Sequence, residues 1–127
     1  RDAHKYARGW VMVVEGTPGH GGAAGLSGLA ALRSGAGLVT LAGEGTAMPA
    51  LALMRRNDDE AATLLTDKRL GAVVIGPGME ADARARGWLK RLSWAGKPLV
   101  IDAGALRLLP QGPIGAPAVL TPHEGEF

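Results

Sequence analysis

The chain has 127 residues, enough for one domain or a large part of one. Apolar residues make up 46% and charged residues 20%, which excludes a disordered polymer and provides for a packed core. The 14 basic and 12 acidic residues leave a net charge of +2 without a basic stripe, so nucleic acid is not an expected partner.

There is no cysteine, which excludes disulfides, thiolate nucleophiles and Cys-ligated zinc and fits a reducing cytoplasm. No apolar run approaches the ~20 residues of a membrane span, so no membrane segment is expected. Aromatic side chains are scarce, at three Trp, one Tyr and one Phe. A core without them is built from Val, Leu, Ile and Ala, as in parallel strands covered by helices. The 20 glycines are about twice the ordinary share of about 7%. They cluster beside apolar segments, where backbone would approach a ligand closely.

In chain order, Trp10 to Val14 is a short apolar run that reads as a buried strand. Glu15 to Gly22, with Pro18 and several glycines, reads as a loop. Leu26, Leu29, Ala30 and Arg33 follow at helical spacing, ended by Ser34-Gly35. Leu38 to Ala42 is a second strand, which completes a βαβ unit. The segment 46–65 reads as partly helical, broken near Asn57-Asp58-Asp59. Ala72 to Ile75 is a third strand that runs into Gly76-Pro77-Gly78. Asp82 to Ala95 is an amphipathic helix, with Ala85, Trp88, Leu89 and Leu92 on one face and Arg84, Arg86 and Arg91 opposite. Pro98 to Asp102 is a fourth strand, followed by a short turn with Leu106, Leu108 and Leu109. Ala118 to Thr121 is a fifth, ending in Pro122-His123-Glu124-Gly125-Glu126-Phe127. This rhythm predicts an α/β fold with a doubly wound, mostly parallel sheet. No linker divides the chain, so residues 1–127 are expected to be one domain or part of one.

In such a sheet, ligands bind beyond the carboxyl ends of the strands. Those ends are Glu15 to Gly22, Gly76-Pro77-Gly78, Asp102-Ala103-Gly104 and Thr121 to Glu126. The loop at Gly16 to Gly22 precedes a helix, whose free N–H groups suit an anion. The same glycines would equally serve a tight turn. Asp102 has the place of a ligand contact, and equally that of a helix cap. Neither a Gly-x-Gly-x-x-Gly fingerprint nor a Walker loop is present, because Gly96-Lys97 is followed by Pro98. Zinc is disfavoured, since Phe127 stands where the second His of a His-Glu-x-x-His motif would lie. Ser27, Ser34 and Ser93 all fall in or at the ends of predicted helices, away from a nucleophile elbow.

Taken in order, these segments resemble the ADP/ATP-dependent NAD(P)H-hydrate dehydratases of the ribokinase-like superfamily. The resemblance is carried by His4-Lys5 and Gly9 before the first strand, Gly22-Ala23-Ala24, Ala31 to Thr40, Val74 to Gly78, Leu99 to Leu106, and Leu120 to Phe127. It implies that Ala23, Gly78 and His123 line the pocket for a hydrated NADH or NADPH. It implies that Glu126 and Asp102 lie on the cofactor side, with Glu126 positioning Mg²⁺ through water. ADP or ATP is the implied co-substrate, which phosphorylates the extra hydroxyl so that phosphate can leave. The family commonly assembles into homo-oligomers. The family's nucleotide phosphate loop and catalytic base lie in a later half that these residues do not contain. The isolated chain is therefore expected to be the N-terminal portion of the domain and inactive. The rival readings are a vitamin-type small-molecule kinase, in which Asn usually stands where His123 does, and a non-catalytic dinucleotide-binding fragment. Glu15, Glu80 and Glu124 stand where the family commonly has other residues. Their charges are expected to repel an anionic dinucleotide.

Overall fold

The computed structural model describes residues 9–16, 28, 30–31, 35–44, 53–108 and 117–121. Within them the elements run β1 (Trp10–Val14), β2 (Leu38–Ala42), β3 (Leu53–Arg56), α1 (Asp58–Thr63), β4 (Leu70–Ile75), α2 (Ala83–Ala95), β5 (Leu99–Asp102) and β6 (Ala118–Thr121). Short 3-10 turns follow α1 (Leu64–Thr66) and β5 (Ala103–Leu108).

The six strands form one sheet in the order β3-β2-β1-β4-β5-β6, and every neighbouring pair is parallel. The doubly wound parallel sheet expected from the sequence is therefore present. The apolar runs of β1 and β2 are continuous because both faces of these central strands are covered. Side chains alternate across the β1 pleat. Trp10, Met12 and Val14 join a cluster with Ala85, Trp88, Leu89 and Leu92 of α2. Val13 joins Val39 and Leu41 on the other face, against Val11, Ala31 and Ala36. Trp10 leaves one polar atom in this core, and its indole Nε1 donates to Thr40 Oγ1 at 3.0 Å. Each fully buried side chain such as Met12, Leu41 or Leu92 contributes about 1.5–3 kcal/mol.

Two helix starts follow from their caps. The Asn57 side chain accepts from Glu60 N at 2.8 Å, and Glu60 Oε1 accepts from Asn57 N at 3.3 Å. Asp82 accepts from Ala85 N at 2.9 Å, and Gly96 closes α2 at φ 72°. The first of these corrects the sequence reading of 46–65. Asn57-Asp58-Asp59 does not break a helix but begins one. Leu53–Arg56, read there as part of a helical segment, is a strand paired with β2. The sheet thus has six strands, where five were expected. Of the helix expected between the first two strands, Gly28, Ala30 and Ala31 are described and are helical. The rest of it lies outside the described residues. β6 is exposed along its length, with Val119 60% and Leu120 47% accessible.

Candidate functional site

The strand order places β1 between β2 and β4. The chain turns one way from β1 to β2 and β3, and resumes on the other side at β4. The carboxyl ends of β1 and β4 therefore flank the topological switch point, where open α/β sheets hold their ligands. The loops leaving these two strands touch. A Cβ built on Gly16 would lie 2.5 Å from the Gly78 carbonyl carbon and 2.9 Å from the Pro77 carbonyl oxygen. Only glycine permits this approach of backbone to backbone.

The β4 turn is equally tight on its other side. Gly76 has φ +120°, and a Cβ there would lie 2.6 Å from the Asp102 carbonyl carbon. Met79 N donates to Gly76 O at 2.9 Å and closes the turn. Gly16, Gly76–Gly78 and the end of β5 thus form a floor of backbone. Asp102 is half-buried at the far side of it, in register with Thr121 of β6.

Charged side chains brace this floor from the β2–β3 side. Arg84, in the first turn of α2, donates from Nη1 to Glu15 O at 2.6 Å and from Nη2 to Ala42 O at 3.1 Å. The same guanidinium donates from Nε to Asp58 Oδ2 at 2.7 Å and from Nη2 to Asp58 Oδ1 at 3.0 Å. Burial, the largest single influence, would raise the Asp58 carboxyl, but the hydrogen bond and charge of Arg84, with smaller help from Trp88 and Arg91, together hold the group below its usual value.

The Glu15 side chain is 3% exposed and ion-paired with Arg55, whose Nε lies 3.0 Å from Glu15 Oε1. It fits beside Gly43, where a Cβ would lie 2.8 Å from Glu15 Cβ. This corrects one expectation. Glu15 presents no bare charge to a dinucleotide, because it is buried and ion-paired with Arg55. Glu80 is exposed beyond Met79, and its carbonyl accepts from Asp82 N at 2.9 Å.

Of the residues singled out in the sequence, Gly78 lies at the switch point and Asp102 lies one strand further along the same edge. Ala23, His123 and Glu126 lie outside the described residues, as does Glu124. Arg84 and Arg55 were missed. A signal for Arg84 existed, since a cation in the first turn opposes the helix dipole unless acceptors draw it away. Nothing local marked Arg55. Among the described residues, no group of three or more His, Asp or Glu side chains could hold a metal ion. No helix among them is long and apolar enough to cross a membrane.

Comparison with known proteins gives a consistent picture. Residues 11–127 match a family model described as NAD(P)H-hydrate dehydratase. The chain is 37% identical over 139 residues to an ADP-dependent (S)-NAD(P)H-hydrate dehydratase of Xanthomonas campestris, covering 97% of this chain and 48% of that protein. It is 38% identical over 135 residues to a bifunctional NAD(P)H-hydrate repair enzyme of Coxiella burnetii, covering 99% of this chain and 27% of that protein. Its fold superposes on an ADP/ATP-dependent NAD(P)H-hydrate dehydratase from Bacillus subtilis, co-crystallised with ATP/Mg²⁺, with a TM-score of 0.77 at 32% identity. That match covers 100% of this chain and 49% of the solved one. A ribokinase-like superfamily protein from Enterococcus faecalis gives a TM-score of 0.81 at 28% identity, covering 96% and 48%.

Proposed function

The chain belongs to the NAD(P)H-hydrate dehydratase family, and from that premise we propose that it supplies one half of a domain that repairs hydrated NADH or NADPH at the expense of ADP or ATP. We read residues 1–127 as part of a single ribokinase-like domain. The exposed apolar strand β6 fits a sheet that further chain extends in the whole protein.

The observation that carries the reading is the contact of Gly16 with Gly78 at the switch point. A floor made only of backbone lets a flat ring system approach the sheet edge, with N–H groups as the nearest donors. In this reading Gly78 forms the floor of the hydrate pocket, and Ala23 and His123 line it. Asp102 and Glu126 face the nucleotide. Mg²⁺ is placed through water at Glu126, whose oxygen donors suit a hard cation.

The chemistry needs two steps. The hydroxyl of the hydrated ring takes a phosphoryl group from the nucleotide, which converts a poor leaving group into a good one. Phosphate then departs, a ring proton is lost, and the dihydropyridine double bond returns. This chain's part is to hold the ring and exclude water. The base that removes the proton is assigned to the other half of the domain. The reading makes the working protein a cytoplasmic homo-oligomer.

The test is dehydration of NADHX by the full-length protein with ADP and with ATP, followed by NADH absorbance. Loss of turnover in Gly78→Val with retained folding supports the reading. Phosphorylation of a small alcohol such as a hydroxymethylpyrimidine, without NADHX turnover, would replace it with the kinase reading.

A further inference from the structure

On the far side of the molecule from this crevice, α1 and its 3-10 turn lie against the last turns of α2. The two elements leave a cleft of about 710 Å³ lined by Ala62, Leu65, Thr66, Lys90, Arg91, Trp94, Ala95 and Lys97. Thr66 precedes β4 and Lys97 precedes β5, so the cleft opens at the amino-terminal edge of the sheet. We propose that it binds a small molecule that joins a flat ring to an anionic group.

Three observations converge. First, Trp94 stands 85% exposed at the cleft, while Trp10 and Trp88 are buried. Beside a cavity, an exposed indole offers a broad apolar face on which a flat ring can stack. Second, three cations and no carboxylate line the cleft. Among the described residues neither Lys90 nor Arg91 takes part in an ion pair. Arg91 is held over the Trp88 ring at 5.8 Å, which fixes its guanidinium beside the opening. Lys97 Nζ donates to the Asp67 carbonyl at 2.7 Å and keeps two further donors. The Asp67 carboxylate is held mainly by Arg69, at 2.8 Å, and feels Lys97 least, while Asp58 is bound by Arg84 and feels Arg91 least, so these two carboxylates offset only a small part of the charge. Third, the volume lies within the ~300–1,000 Å³ of small-molecule sites.

A second copy of the chain fits less well. A two-fold contact centred on this face would bring the Lys90, Arg91 and Lys97 cations of one copy close to those of the other. A protein partner would need about 800 Å² of matching surface, more than eight residues around a concave cleft provide.

The test follows the indole N–H resonances of Trp10, Trp88 and Trp94 in the ¹⁵N-labelled full-length protein. It titrates 1-naphthyl phosphate, adenosine monophosphate, inorganic phosphate and 2-naphthol. The expected result is a saturable shift of the Trp94 resonance, with those of Trp10 and Trp88 unmoved. Naphthyl phosphate, the monophosphate or both should produce it at concentrations at least about tenfold below inorganic phosphate and naphthol. Which of the two binds separates a general aryl anion site from a nucleotide site. The double variant K90E/R91E should weaken the shift about tenfold or more, and added salt should weaken it as well. Three results overturn the proposal. One is no shift at Trp94 with any of the four. Another is an equal response to phosphate or naphthol alone. The last is sedimentation showing an oligomer that Trp94→Ala dissociates, which would make the cleft an interface between copies.

Discussion

Arg84 Nη1 donates to the carbonyl oxygen of Glu15 at 2.6 Å, across 69 positions of sequence. A helix that begins after β4 therefore holds Glu15, the residue that follows β1, and the next residue, Gly16, forms the crevice floor with Gly78. The same guanidinium reaches Ala42 O and both oxygens of Asp58, so one side chain ties together β1, β2, α1 and α2.

Removing it leaves the Glu15 carbonyl and a half-buried carboxylate short of a donor, while Ala42 O keeps only the Glu15 N–H at 2.8 Å. Arg84→Ala should lower the unfolding free energy by about 1–3 kcal/mol, read by urea denaturation. Arg84→Lys keeps the charge but cannot serve the same four acceptors in a plane, so it should recover only part of the loss. In the full-length enzyme, Arg84→Ala should also raise KM for the hydrate, because Gly16 is no longer fixed.

The Asp58 carboxyl is held below its ordinary value when folded, because Arg84, helped by Trp88 and Arg91, more than offsets the effect of burial. The unfolded chain then binds more protons than the native one as the pH falls through the ordinary carboxylate range of about 4. The stabilisation is complete above that pH and disappears as the pH drops through the lower native value. Asp58→Asn should be less stable than the parent at pH 7, and the gap should narrow as the pH falls below the ordinary carboxylate range. A gap independent of pH would contradict this.

Asp67 is held down to about 2, first by the side-chain hydrogen bonds of Arg69 and then by its backbone N–H. A ¹³C titration of the carboxyl should show a midpoint near that value. Arg69→Ala should move it up toward the ordinary range, with the backbone bond at 2.9 Å retaining part of the shift.

Gly76 combines positive φ with contact to the Asp102 backbone. Gly76→Ala meets backbone atoms that cannot swing away, so a loss above about 2 kcal/mol is expected from thermal unfolding. Gly87→Ala is the control, since a Cβ there meets nothing within 4 Å in the middle of α2, and it should stabilise by about 0.5–1 kcal/mol.

Glu15→Ala leaves the Arg55 guanidinium, whose side chain is only 15% exposed, without its ion-pair partner Glu15. Breaking such a pair from one side costs about 3–5 kcal/mol, more than the pair adds over an apolar replacement. The double variant Glu15→Ala/Arg55→Met should recover much of the loss. Additive losses would show that the two side chains act independently.

The local code was legible wherever one short segment settles its own state. The apolar runs at Trp10–Val14, Leu38–Ala42 and Ala72–Ile75 left little choice but buried strands, the last of which begins two residues earlier, at Leu70, and the Ala85, Trp88, Leu89 and Leu92 spacing fixed the buried face of α2. The glycine pairs at strand ends marked the edge where a ligand would sit. β3 escaped because Leu53–Arg56 has two arginines in four residues, no alternation and no propensity of its own. It is a strand because β2 offers it a ladder. Glu15 read as an open charge because nothing near it in sequence announces Arg55. Strand order, the Gly16–Gly78 contact and the reach of Arg84 all join positions tens of residues apart. Period and propensity carry no information about such pairings, and only the closed fold brings them within range of each other.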